Sequence, residues 1–215
     1  MNLEADLKFP LHDDDWAIKV LVGGIISIIP IVNFIALGYY LRTMRRTIQG
    51  TPSMPAWERF GHLFVKGLGA VVIAIIYMIV PIIVAVGAAV VWGIGAASGL
   101  FLSPWSLFAE TSLILGLLLS ALLAVVFGFF LPMALATYAD VGAIGSAFHF
   151  RSVLNRIRSV SHDYVVTYLV VILLSIVLSV VSMIPVIGWM LALFGGFYIG
   201  VVSANMFGRV YAASS

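Results

Sequence analysis

The chain has 215 residues, 63% apolar and 9% charged, with a mean hydropathy of +1.17. A soluble domain carries roughly a quarter charged residues, so lipid is the solvent for most of this one. A formal charge of only +2 excludes an electrostatic case for nucleic acid, and the lack of cysteine excludes disulfides, thiolate metal sites and cysteine nucleophiles.

No basic leader of a secretory signal is visible, since the start carries Glu4, Asp6, Asp13, Asp14 and Asp15. Residues 1–12 read as a surface tail or a disordered one. Leu3, Leu7 and Leu11 recur every four residues, but Pro10 cuts any helix short. Asp13-Asp14-Asp15-Trp16 then opens an N-terminal unit over 13–48, its aspartates placed to cap free N–H groups and meet the positive end of a helix dipole. The apolar run Ala17–Leu41 is long enough for one span kinked at Pro30 and Asn33, or for two short halves of a re-entrant hairpin. Asn33 offers a donor and an acceptor to repair the break that Pro30 makes. An echo favours the hairpin: Ser27-Ile-Ile-Pro30-Ile-Val-Asn33-Phe34 resembles Ser182-Met-Ile-Pro185-Val-Ile-Gly188-Trp189.

Arg42, Arg45 and Arg46 follow, then a loop to Met54. Pro55 suits a first helical turn, with Trp57, Phe60 and Phe64 on one face and Glu58, Arg59, His62 and Lys66 elsewhere, the pattern of an interfacial amphipathic helix. It leads a unit over 55–138: a span from Gly67 to Ala97 kinked at Pro81, a loop from Ser98 to Glu110, and a return from Thr111 to Tyr138. A second unit, 147–211, repeats the plan. Phe150, Val153, Leu154 and Ile157 face one way, Arg151, Asn155, Arg156 and Arg158 another, and the following hairpin turns at Pro185 and Gly188. The expected fold is one all-α integral membrane domain, 1–215: four transmembrane helices in two hairpins, an N-terminal re-entrant hairpin or kinked span, and two interfacial amphipathic helices.

Five basic residues and one acidic lie between Arg42 and Lys66, and three basic and two acidic between Ala139 and Tyr164; loops 98–110 and 185–188 hold no lysine or arginine. Positive residues stay inside, which puts the C-terminus in the cytoplasm of a multi-pass cell-membrane protein. Trp16 and Trp57 then mark the inner boundary, and Trp92, Trp105 and Trp189 the outer.

Small residues recur every four positions in four segments: Ala85, Ala89, Gly93, Ala97; Gly116, Ser120, Ala124, Gly128; Ser175, Ser179; and Gly196, Gly200, Ala204, Gly208. Such ridges let backbones approach, a main source of helix association in lipid. No charged residue or histidine lies in 20–41, 67–109, 111–139 or 164–208, which argues against ion or proton coupling within one chain. Asn33, Tyr77, Tyr198 and Asn205 serve either a neutral solute path or buried bonding between helices.

Candidate chemistry is thin. His149, His162, Asp140 and Asp163, with His62, could meet on the inner side, but their spacings match no metal motif. Asp140 and Asp163 are expected to pair with arginines or cap helices. Arg151, Arg156 and Arg158 suit anionic lipid head groups or ordinary positive-inside anchoring.

Asp14-Asp15-Trp16, Ile29-Pro30-Ile-Val-Asn33-Phe34 with Gly38-Tyr39 and Arg42, Pro55-Ala-Trp57 with Gly67-Leu68, and Ile184-Pro185-Val-Ile-Gly188 with Gly208-Arg209-Val-Tyr211 together resemble a family of small polytopic bacterial and archaeal membrane proteins. That family is filed as a domain of unknown function, the four-thousand-and-thirteen type. The resemblance implies the fold and assigns no catalytic residue. The expected function is a non-enzymatic subunit or scaffold, without a cofactor, that packs against membrane lipids and against other membrane subunits or itself. The alternative is an oligomeric transporter or channel for a lipid or neutral solute.

Overall fold

The computed structural model describes residues 3–97 and 104–214. The chain forms α1 (Leu3–Leu7), α2 (Trp16–Ile28), α3 (Asn33–Ile48), α4 (Phe60–Ala97), α5 (Pro104–Val141), α6 (Phe150–Ser159), α7 (Ser161–Val181) and α8 (Ile187–Ala213), with 3-10 turns at Phe9–His12 and Ile144–Phe148. Four of these helices, α4, α5, α7 and α8, are long and apolar enough to cross a membrane. The protein is an all-α integral membrane protein. Its contacts divide into two compact units, Met1–Ile73 with Pro132–Ser215, and Ala74–Leu131.

In the first unit α8 packs on α2, α3 and α7. Small residues make this possible. The ring of Phe197 covers Gly23 of α2 and that of Phe194 covers Gly24, filling the space a Cβ would need. Val20 is buried beside them, while Ile18, Leu21, Ile25 and Ile28 point outward at helical spacing. Against α3, Gly200 is closed by the Tyr40 ring, and a Cβ on Gly208 would stand 2.9 Å from Met44 O and 3.0 Å from Thr47 Cβ. Rings gather round Phe197, with centroids at 5.4 Å for Tyr39, 5.3 Å for Tyr40 and 5.7 Å for Trp57.

The tightest contact joins α3 to α4. A Cβ on Gly38 would run into Leu63 O, and one on Gly67 into Phe34 O. The two backbones therefore touch reciprocally, each glycine under the other helix's carbonyl, where Cα–H···O contacts add a little attraction.

The sequence echo is a structural one. Ile31 (φ +71°) and Val186 (φ +64°, ψ −65°) each follow a proline and sit at the centre of a γ-turn. Val32 N donates to Pro30 O at 2.9 Å and Asn33 N to Ile29 O at 3.0 Å; Ile187 N donates to Pro185 O at 2.8 Å and Gly188 N to Ile184 O at 2.9 Å. Positive φ is strained for a β-branched residue, and this form of the γ-turn is rare. Both turns reverse a helix pair. Residues 16–48 thus fold back as α2 and α3, with Lys19 Nζ 3.3 Å from Met54 O and Trp57 Nε1 donating to Lys19 O at 3.1 Å. The kinked single span is excluded. Asn33 does not repair the break, for its side chain is exposed and the backbone closes the turn.

In the second unit α4 and α5 run antiparallel. Gly95 meets Ala109, Gly116 meets Ala88, and Ser120 Oγ donates to Pro81 O at 2.8 Å. Pro81, Ala88 and Gly95 are buried seven residues apart, a heptad seam. The ridge expected at Ala85, Ala89, Gly93 and Ala97 is thus displaced, and Gly93 has open space around it. Of the α5 ridge, Gly116 and Ser120 make contacts, and Gly128 is half-buried. α5 already begins at Pro104, so the expected loop is shorter; residues 98–103 of it lie outside the described residues.

Other expectations also change. Pro55 to Arg59 is not helical, and α4 starts at Phe60 with no separate interfacial helix before it. Trp57 turns into the core instead, stacked on Tyr39 at 4.2 Å. Ser175 and Ser179 are exposed and bond to their own helix at Val171 O and Ser175 O. Gly196 makes only ordinary contact, 3.7 Å from Leu178. On α6, Val153 and Ile157 are buried as expected, but Phe150 is 50% exposed. The N-terminal tail docks through Asp6, Phe9 and Pro10, which are buried, whereas Leu3 and Leu11 of the expected leucine stripe are exposed.

These contacts set an order of tolerance. Gly38→Ala must push a backbone carbonyl aside, and Gly200→Leu must displace Tyr40, so each is expected to lower the detergent melting temperature through overpacking worth about 1–3 kcal/mol. Gly93→Ala should leave it unchanged or slightly raised; equal losses for all three would contradict this packing.

Candidate functional site

Two polar faces converge where α3 ends and α4 begins. Arg42, Arg45, Arg46 and Gln49 follow the intervals i, i+3, i+4, i+7 at the end of α3, while His62, Leu63 and Lys66 share one face of α4 and Arg59 stands just before its start. The crossing at Gly38 and Gly67 turns the faces toward each other. Between them lies a cavity of about 320 Å³, walled also by Leu41, Tyr138 and Ala139, with Glu58 as the one carboxylate among its lining residues.

The wall is held before any ligand arrives. Arg42 Nη1 donates to Glu58 O at 3.1 Å, and Arg46 Nη1 to Ser53 Oγ at 3.1 Å. Lys66 Nζ donates to Gly142 O at 3.0 Å and sits 5.0 Å from the centroid of the Tyr138 ring. Tyr39 OH donates to Pro55 O at 2.8 Å, and the Trp57 indole locks the same segment to α2. Arg59 has φ +55°, a left-handed conformation costing on the order of 1–3 kcal/mol in a non-glycine residue.

The lining carries five cations against one carboxylate, Glu58. Ion pairs among the described residues are Glu4–Lys8, Asp13–Lys19, Asp163–His162 and Asp6–Arg209, and none involves the five cations of the cavity. Burial pulls the Arg42 guanidinium below its ordinary pKa, helped by Arg46 and Arg59 and opposed by Glu58. Arginine forks suit phosphate and carboxylate oxygens.

The other candidates are scattered. Asp140 accepts from Tyr211 OH at 3.0 Å, His162 lies 3.4 Å from Asp163, and the His149 ring stands 3.4 Å from Ser146 O. Among the described residues neither carboxylate pairs with an arginine, while Asp163 lies in the first turn of α7, one of the two expected roles; the described residues hold no group of three or more potential metal ligands. Arg156 stacks over Tyr211, 4.4 Å from the ring centroid, and donates to Ser214 Oγ at 3.3 Å, while Arg151 and Arg158 stay exposed. The aspartates before α2 act differently from simple caps. Asp13 accepts from Asp15 N at 3.1 Å and pairs with Lys19 at 2.7 Å, and Asp15 makes no side-chain cap bond.

Of the four residues considered for a solute path, Asn205 and Tyr198 bond to neighbouring elements, and Asn33 is exposed at its turn. Buried Asn205 accepts from Thr47 Oγ1 at 3.0 Å and donates to Asp6 Oδ1 at 3.3 Å, and Tyr198 OH donates to Leu7 O at 2.7 Å. Arg209 stands 3.1 Å from the same Asp6 carboxylate. Burial raises the Asp6 pKa, Arg209 opposing it.

Sequence reasoning counted the cations of 42–66 for membrane orientation alone and missed the cavity. The i, i+3, i+4, i+7 interval of Arg42, Arg45, Arg46 and Gln49 was the available signal.

Against known proteins, the profile of the family described as "Protein of unknown function (DUF4013)" matches residues 22–187. The chain is also similar to the uncharacterized protein MJ1189 of Methanocaldococcus jannaschii, 26% identical over 161 residues, which is 73% of this chain and 52% of that protein. The chain thus spans about half the length of that relative. No solved structure matches.

Tyr39→Phe deletes the hydroxyl that holds Pro55. It is expected to cost about 1 kcal/mol and to speed protease cleavage or amide exchange within 52–59 in the folded protein. Unaltered exchange there would show that the segment is held by other contacts.

Proposed function

We infer the role of a chain that belongs to the DUF4013 family from its surfaces rather than from an inherited activity, and propose a non-enzymatic membrane subunit or scaffold. It would pack against other membrane proteins or a second copy of itself, with lipid around the remainder. One observation carries this: α3 meets α4 at backbone distance at Gly38 and Gly67 and meets α8 so at Gly208, while the Tyr40 ring closes on Gly200. Close packing of that kind uses the interior for adhesion. Polar side chains suited to a solute path, Asn205 and Tyr198, are bonded to neighbouring elements.

What remains for function is outside. Leu115, Leu118, Leu122 and Val125 make an apolar outer face on α5, and Leu169, Leu173, Ile176 and Val180 one on α7. Positive-inside counting supports a cell-membrane location with the C-terminus in the cytoplasm, and the exposed Arg151 and Arg158 of α6 as anchors to that leaflet.

Gentle purification from native membranes in mild detergent tests the assignment. A polypeptide retained in fixed stoichiometry, or a compact homodimer, is expected. A self-oligomer enclosing a continuous cavity would move the protein to the transporter class.

A further inference from the structure

We propose that the cavity between the end of α3 and the start of α4 binds a phosphate-bearing anion, held by Arg42, Arg45, Arg46, Arg59 and Lys66. The ligand is either a lipid head group or a soluble phosphate compound, the recognition chemistry being shared.

Three observations converge on it. The cavity carries five cationic side chains against Glu58 alone, and no carboxylate among the described residues pairs with them. Like charges held together cost free energy until an anion arrives, so binding should relieve a repulsion already present. Preorganisation is the second. Arg42, Arg46 and Lys66 are tethered to backbone or hydroxyl oxygens at 3.0–3.1 Å, which lowers the ordering cost of capture. Arg45 and Arg59 are exposed, and their guanidinium groups make no hydrogen bond among the described residues, so they are free to close on the ligand. The third is the setting. Glu58 and Arg59 of the lining immediately precede α4, and His62, Leu63 and Lys66 of its first two turns complete that wall. Strained Arg59 sits at that start.

The dimensions agree. About 320 Å³ lies at the small end of the ligand pockets, which run roughly 300–1,000 Å³. Leu41, Leu63 and Tyr138 give the cavity an apolar wall, suited to a glycerol or acyl carbon next to the phosphate. Arg156 on α6, by contrast, is already occupied with Tyr211 and Ser214.

The full chain in an uncharged detergent is melted while tryptophan fluorescence is followed, because a ligand of the folded state raises the midpoint in proportion to ln(1 + [L]/Kd). The additives are phosphatidylglycerol, phosphatidylcholine, glycerol phosphate and inorganic phosphate. Phosphatidylglycerol alone raising the midpoint assigns a lipid source. A rise with glycerol phosphate or inorganic phosphate as well assigns a soluble one. Arg45→Gln and Arg59→Gln, both at exposed positions, should each raise the half-saturating concentration about fivefold, while Lys8→Gln, at an exposed cation outside the cavity, leaves it unchanged. The proposal is overturned if no anion shifts the midpoint, if phosphatidylcholine protects as well as phosphatidylglycerol, or if Lys8→Gln weakens protection as much as the cavity variants.

Discussion

Backbone contact at α3 is the constraint on which the rest depends. Gly38 takes a carbonyl of α4, while on the other side Gly200 of α8 receives the Tyr40 ring and Gly208 the Met44 carbonyl and the Thr47 side chain. In lipid, apolar surface gains little by leaving one apolar neighbour for another, so contact quality decides which helices associate. α3 has 16 residues, about 24 Å at 1.5 Å each, less than a membrane's hydrocarbon thickness. Its place is secured by neighbours rather than by its own hydrophobicity. The same crossing that brings Gly38 under Leu63 O also brings the arginines of α3 opposite Arg59, His62 and Lys66. Packing and charged cavity are two results of one approach.

The repeated γ-turn adds a second theme. α2 with α3, and α7 with α8, are reversed by the same proline-led turn, the residue after the proline carrying positive φ. A strained turn persists where its surroundings over-determine it, and here the packed helix pair on each side does so. The polar links lie at the opposite end of α8. Asp6 holds both Arg209 and Asn205, and Asn205 reaches Thr47. Such a network ties the N-terminal helix to α3 and α8 by directed bonds, a specificity that apolar contact alone lacks.

Part of this was legible in the sequence. Long apolar runs marked the spans, because twenty apolar residues have few alternatives to lipid, and Pro30 and Pro185 in matching phrases marked the two turns. The α8 ridge was legible where Gly200, Ala204 and Gly208 do meet neighbours. Gly93, Ser175 and Ser179 fit the same interval and fail, for spacing shows which residues share a face but not what that face meets. Gly38 and Gly67 were hidden for that reason: neither has a small residue four positions away in its own helix, and their partnership exists only between helices. Trp57 misled most. With Phe60 and Phe64 it mimics an amphipathic face, whereas the structure places it in a non-helical segment, stacked on Tyr39 and bonded to Lys19 O. The charged cavity follows the same logic, since two legible faces became one site only through the crossing.

The central claim is that the interior around α8 is dry and serves adhesion. Because the chain has no cysteine, single cysteines can be placed along α8 at Phe197, Val201, Ala204, Asn205 and Ala213 and treated in native membranes with a small water-soluble thiol reagent. Labelling confined to position 213 is the predicted result. A continuous stripe of labelling from 197 to 205 would reveal water along the helix and contradict the account.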